Sequence, residues 1–332
     1  MSVRENLIKH LTSILRASSG TILVILCDQN GLSIAKIGRK SVIEINPNQI
    51  TSLAAAAFSA SEENWDDLNI KDQVISFSYF DKVCLISIKI NQTLLTIVHD
   101  YHKEWPLDPD NIASSMYYLK QKIGEFFGGS DVSEAELNDF SNRVRSAIYL
   151  FGMGTEVPFV SYTSENVDTS NTLPFISIIL DAIQNPIFIR YSLVVPSGLM
   201  LDAREVSGQN LPISIDAFSA NANVAFQKMK EESEGSSIGD LLCYIAISGQ
   251  DPENFYGLIT CPSGKLNFSS VKGASNIEEV SFIGLFSLAY GGIPVIGESR
   301  NIIYSISEII GKEEITENLI KTINVLTSSK YE

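Results

Sequence analysis

The chain has 332 residues, 45% hydrophobic and 19% charged, with four cysteines and a formal net charge of −15. That length supports two domains with a core each, and the composition is globular rather than disordered. The negative charge argues against a nucleic-acid or anionic-membrane surface, and no apolar run reaches the ~18 residues a membrane helix needs.

Residues 3–17 set Val3, Leu7, Leu11, Ile14 and Leu15 on one helical face. Glu5, Lys9 and His10 interrupt that pattern, so the opening reads as an amphipathic helix rather than a signal peptide, and a cytoplasmic protein is expected. Two apolar runs, 21–28 and 32–38, flank Gln29-Asn30-Gly31. An Asn-Gly step in that setting predicts a tight hairpin, because both residues accept positive φ. Residues 47–65, with Ala54 to Ala57 in the middle, read as a helix whose small residues permit close approach. Strands at 72–80, 82–90 and 92–100 follow with very short connections. A helix at 110–127 ends at Gly128-Gly129.

Ser133 and Glu136 form a capping box, and Leu137, Phe140, Val144 and Ile148 follow at helical spacing. The polar stretch 161–172 reads as linker. Net charge is −2 over residues 1–130, −5 over 131–172 and −8 over 173–332, a shift that favours cutting the chain between 130 and 172. The earlier order then restarts. A short helix is expected at 173–184, two strands around Ser197-Gly198, a helix at 211–232 and strands at 240–250 and 254–262. The 262–266 stretch, PSGKL, reads as a turn within a late hairpin, and 276–290 as a closing helix. A strand at 301–306 and a helix at 313–328 remain. A partial third copy is the alternative account of that tail.

This order, with CDQNGLSIA (27–35) and ITSLAAAAFSASEE (50–63), resembles the Roadblock family. The match covers 3–127 well and 173–290 less well, where SLVVPSGLMLDA and SIDAFSANANVAF carry it. Related longin and profilin-like folds share part of the order. The resemblance implies an α+β chain with two Roadblock-like α/β sandwich domains. Each would be an antiparallel five-stranded sheet with helices on its faces, in the order α-β-β-α-β-β-β-α. Domain 1 would span 1–128, a linker with one amphipathic helix 129–172, and domain 2 with a C-terminal extension 173–332. Family members pair through the second helix and third strand, which covers an otherwise exposed sheet edge. Domains 1 and 2 would therefore form an intrachain pseudo-dimer, with pairing between chains the rival arrangement.

Chemistry is sparse. PSGKL lacks the earlier glycine and the hydroxyl of a phosphate loop, and GMGT (152–155) is only a GxG. His99 and His102 lie i,i+3 beside Asp100 and Glu104 but precede Pro106, so a solvated loop is the simpler reading than half a metal site. Ser197 and Ser263 sit in PSG rather than a nucleophile elbow, with no histidine after residue 102 to serve as base. Cys27, Cys84, Cys243 and Cys261 lie in apolar runs without CxxC spacing and read as buried free thiols. Glu62-Glu63, Asp66-Asp67 and Glu278-Glu279 read as solvated faces.

No catalytic, cofactor or metal residue is expected. The resemblance implies a non-catalytic scaffold that binds and regulates or localises a Ras-like small GTPase, with a longin-like trafficking or tethering subunit as the alternative. The implied interface is the paired second helices and strand edges: Ile50, Leu53, Ala54, Ala57, Phe58, Val74 and Phe77, with Ile215, Phe218, Asn221, Ala222 and Ala225 in the second half. Asn221 and Asn223 are hard to explain as core, because a buried amide needs partners.

Overall fold

The computed structural model describes residues 3–68, 73–102, 107–126, 132–151, 188–196, 198, 200–205, 212–248, 254–266 and 278–289. The first half runs α1 (Val3–Arg16), β1 (Thr21–Asp28), β2 (Ser33–Gly38), α2 (Pro47–Asp67), β3 (Gln73–Phe80), β4 (Cys84–Ile90), β5 (Thr93–His99) and α3 (Pro109–Phe126). Helix α4 (Glu134–Phe151) follows. The second half contributes β6 (Phe188–Val194), β7 (Met200–Glu205), α5 (Ile215–Ser233), β8 (Leu241–Ser248), β9 (Asn254–Leu266) and β10 (Glu278–Ala289). The expected helices at 173–184 and 313–328 and the strand at 301–306 lie outside the described residues.

The ten strands among the described residues form one antiparallel sheet in the order β2-β1-β5-β4-β3-β8-β9-β10-β6-β7. That order mirrors itself about the β3–β8 junction. In each half the two hairpin strands lie outermost and the strand after the long helix lies at the centre.

Side chains alternate between the two faces with the period of a strand. On one face Val24, Leu26, Ile86, Ile97, Phe77, Ile245 and Ile259 join Leu11 of α1, Met116 of α3 and Val144 of α4 in one core. On the other, Ile25, Leu85, Val98, Tyr244, Leu258 and Ile283 pack with Ile50 and Leu53 of α2 and Phe218 and Phe226 of α5. The apolar positions of α4 bury Leu137, Phe140, Val144, Ala147 and Ile148, so this helix packs as tightly as those before it. Ser133 Oγ accepts from the Glu136 N–H at 3.2 Å, the expected N-terminal contact, while the Glu136 carboxylate pairs with Lys120.

Three local expectations are corrected. The Asn30-Gly31 turn places only Gly31 at positive φ, +78°. Asp28 reshapes it: its Oδ1 accepts from the N–H groups of Asn30 and Leu32, each at 2.9 Å, a side-chain turn that competes with the two-residue hairpin. Second, PSGKL is not a turn, because β9 runs through it. Pro262 and Gly264 sit where the register with β10 shifts, opposite Ser281 and Val280. Pro262 also lies past Thr260, the last residue of β9 that β8 reaches, so its missing N–H breaks no bond on that side. Third, 278–289 is strand β10, not a closing helix, and the other late elements of a partial third copy, at 301–306 and 313–328, lie outside the described residues. Valine, isoleucine and two phenylalanines favour the pleated form, and Gly284 inside a helix would cost about 1 kcal/mol relative to alanine. The strand is then held on both sides, by β9 and β6.

Candidate interaction site

The two halves meet where β3 pairs with β8. The ladder sets Ile75 opposite Ile247, Phe77 opposite Ile245, Ser78 opposite Tyr244 and Tyr79 opposite Cys243. Above it α2 packs against α5. The helices start alike. Asn46 accepts from the N–H of Asn48 through its side chain and from that of Ile50 through its carbonyl. Ser214 accepts from Ala217 through its side chain, at 3.2 Å, and from Phe218 through its carbonyl. Such caps satisfy N–H groups that the first helical turn leaves unpaired.

Of the twelve residues singled out in sequence, Ile50, Leu53, Ala57, Phe218 and Ala222 are buried together in the core beneath the two helices. Ala54 and Phe58 are buried in a smaller cluster with Cys27 and Leu94, under α2 and away from α5. Val74 and Phe77 belong to the opposite face of the sheet. Ile215 and Ala225 are half-buried and Asn221 is exposed. Asn223, in contrast, is buried and donates from Nδ2 to the Val195 carbonyl at 3.3 Å.

Sequence reading missed a buried polar cluster at the seam. Gln73 Oε1 accepts from Trp65 Nε1 at 3.0 Å and from the Ser61 hydroxyl. Gln73 Nε2 donates to the Tyr244 hydroxyl at 3.3 Å, and that hydroxyl donates in turn to Ser61 Oγ at 2.8 Å. The Ala57 carbonyl also lies within reach of Tyr244, at 3.3 Å. Burial raises the Tyr244 pKa, opposed by its hydrogen bonds to Ser61, Gln73 and Ser76, so the phenol stays protonated and able to donate. The signal was present in the sequence: a glutamine opening one apolar strand and a tyrosine inside another.

The turn before β4 closes one end of the seam. Asp81 N–H donates to the Asp240 carbonyl at 3.1 Å, and Asp240 N–H donates to Asp81 Oδ2 at 2.7 Å. Lys82 Nζ reaches the Ser237 carbonyl at 2.7 Å.

Elsewhere, a cleft of about 230 Å³ lies between α2 and the ends of β1, β4 and β5, floored by Phe58 and Leu94. The Glu62–Lys89 ion pair forms part of its wall, so Glu62 is not the solvated carboxylate expected. His99 is likewise no loop residue: it ends β5 and is buried, whereas His102 is exposed with Nε2 2.7 Å from the Asp81 carbonyl. Among the described residues no group of three metal-ligating side chains is gathered. Cys27, Cys84 and Cys243 are buried and form no disulfide. No described helix is long and apolar enough to cross a membrane.

The first half is an α+β unit with the element order α-β-β-α-β-β-β-α that the Roadblock resemblance implies, its third strand at the centre of the sheet and its second helix beside it, and the described part of the second half repeats β-β-α-β-β-β. No family model matches the chain, and no curated protein matches it in sequence. Solved structures similar to it include gliding protein MglB from Thermus thermophilus, at 14% identity and a TM-score of 0.32, covering 38% of this chain and 90% of that one. A Roadblock/LC7 domain from Streptomyces avermitilis is 15% identical, with a TM-score of 0.30 and coverage of 36% and 96%. Myxococcus xanthus MglB is 16% identical, with a TM-score of 0.29 and coverage of 38% and 92%. Likeness at this level adds no argument to the topology.

Proposed function

We propose that the chain is a non-catalytic scaffold whose two Roadblock-like units, spanning 1–128 and 173–332, pair within the chain. The joined α2–α5 surface would then dock a Ras-like small GTPase. The observation that carries this reading is the character of that surface. Residues 45–61 and 217–227 contain no charged side chain, in a chain that is 19% charged. Their outward positions are not all buried: Ser52, Ser59 and Asn221 are exposed, and Val224 is 63% exposed. An ordinary solvated helix carries charges on that side, whereas the centres of protein interfaces are depleted of them. The GTPase itself comes from the family resemblance.

The test is capture of partners by the full-length protein, followed by mass spectrometry. Recovery of a small GTPase, lost in Ser59→Arg and Val224→Glu at unchanged melting temperature, is the expected result. Recovery that is indifferent to both substitutions rules out this surface. The hydrolysis rate of the captured GTPase then separates activation from binding alone.

A further inference from the structure

We infer that the seam is heterotypic: the edge formed by β3 and α2 takes the second half of this chain and rejects a second copy of itself. A shift of 168 positions carries Asn46 onto Ser214, Gln73 onto Leu241 and Phe80 onto Ser248, matching the two helix caps and both ends of the paired strands. The same shift carries Phe77 onto Ile245, which stand opposite one another in the ladder. The two halves are therefore related by a near-twofold axis through that pair. Backbone geometry and apolar packing alone would let either half pair with its own kind.

The polar cluster does not obey the symmetry. Ser61, Trp65 and Gln73 correspond to Met229, Ser233 and Leu241, and Tyr244 corresponds to Ser76. Two first halves brought together would set Ser76 where Tyr244 stands. A serine hydroxyl is shorter than a phenol by the whole ring, so Gln73 Nε2 would lose its acceptor and Ser61 its donor, twice over by symmetry. Two second halves would press each Tyr244 hydroxyl toward Leu241 and Met229, which offer no polar side-chain atom. Ser61, Trp65, Gln73 and Tyr244 are all 1–2% exposed, so water does not replace the lost partners. Each orphaned group disfavours a pairing roughly 5- to 150-fold. Specificity of this kind comes from penalising the wrong partner, as single buried polar residues do in coiled coils. The inference stands on the strand register and the cluster, whatever protein docks on α2 and α5.

The test uses full-length chains. Isotopically light and heavy preparations are mixed, unfolded and refolded together at about millimolar concentration, comparable with the effective concentration that tethering gives. Lysine cross-links are then read by mass spectrometry. Light-to-heavy links joining Lys82 or Lys89 of one copy to Lys82 or Lys89 of another report first halves pairing together. The wild-type protein should show none. Gln73→Leu/Tyr244→Phe, which removes the Gln73–Tyr244 contact that only the mixed seam can make, should bring them to at least five times the detection limit. If that double variant fails to refold, Tyr244→Phe alone, with the Trp65–Gln73–Ser61 contacts retained, should raise them in the same direction. Such links in the wild-type protein, or no rise in the variant that refolds, overturn the inference.

Discussion

Phe77 and Ile245 face each other across the central ladder of the sheet, each the counterpart of the other in its own half. That relationship makes the seam the organising feature of the molecule, and it fixes which substitutions should act on the fold and which on the surface.

Gly239 should be far less replaceable than Gly198. Both have positive φ, +92° and +84°. A Cβ on Gly239 would lie 2.6 Å from the side chain of Asp81, which holds the Asp240 N–H, whereas nothing lies within 4 Å of one on Gly198. Gly198→Ala should cost about 1 kcal/mol in backbone strain alone, and Gly239→Ala about 2–3 kcal/mol as the seam contact shifts. Urea denaturation measures both, and equal losses would contradict the crowding.

Charge placed on α2 should separate core from surface. Ala54 and Ala57 are each 3% exposed. Ala54→Glu and Ala57→Glu should therefore destabilise by about 3–5 kcal/mol, an uncompensated buried charge, rather than merely weakening association. Ser59→Glu, on the same helix and exposed, should change stability by no more than about 0.5 kcal/mol. Cooperative, wild-type-like melting of Ala57→Glu would return Ala57 to the surface.

Arg39 anchors the end of α1. Its guanidinium donates to the Leu15 carbonyl at 2.5 Å, in the last turn that a helix leaves unpaired, and to the carbonyls of Ser18 at 3.1 Å and Ser19 at 3.2 Å in the connection to β1. Arg39→Ala should cost about 1 kcal/mol, and Arg39→Lys should recover only part of it, since an ammonium lacks the planar fork. Full recovery by lysine would mean that charge alone suffices.

Stability should fall at alkaline pH. Burial, then the neighbouring Asp28 charge, pushes the Cys27 thiol from 9.0 to about 11, against the smaller opposing effect of a backbone hydrogen bond at Leu94. The folded state thus favours the protonated thiol. Its contribution is complete below about pH 9 and is lost between about 9 and 11, as the unfolded chain releases the proton first. Tyr244 shifts in the same direction. Urea midpoints from pH 7.5 to 11 should decline, and Cys27→Ala should flatten the part between about 9 and 11.

The first half was legible in sequence because its signals agree at every level. Residues 73–80, 84–90 and 93–99 are strands rich in apolar residues and buried along almost their whole length, and the helices around Ile14 and Met116 keep one buried face. The second half misled where local signals conflicted with tertiary context. Pro262 and Gly264 spell a turn, yet the ladder tolerates them at a bulge beyond the reach of β8. The row from Val280 to Leu288 carries enough spacing for either periodicity, and pairing on both sides decided for strand. Helix α2 was recognised as the pairing helix, but a helix has several faces. Only the neighbours across the seam reveal that Ala57 lies toward Tyr244 while Ala54 lies toward Cys27. The Gln73–Tyr244 contact joins residues 171 positions apart and leaves no local trace.

That separation also has a consequence during synthesis. The first half is complete on the ribosome before β8 is translated, and at ~5–20 residues per second the 168-residue lag lasts roughly 10–30 s. Through that interval β3 is a bare edge strand, and the apolar flank of α2 has nothing to rest against. A bare edge of that kind invites strand addition, and the polar groups of Ser61 and Gln73 disfavour the equivalent edge of neighbouring chains on the same message as the strand that is added. The nascent first half is thus the species on which chaperones would be expected to act.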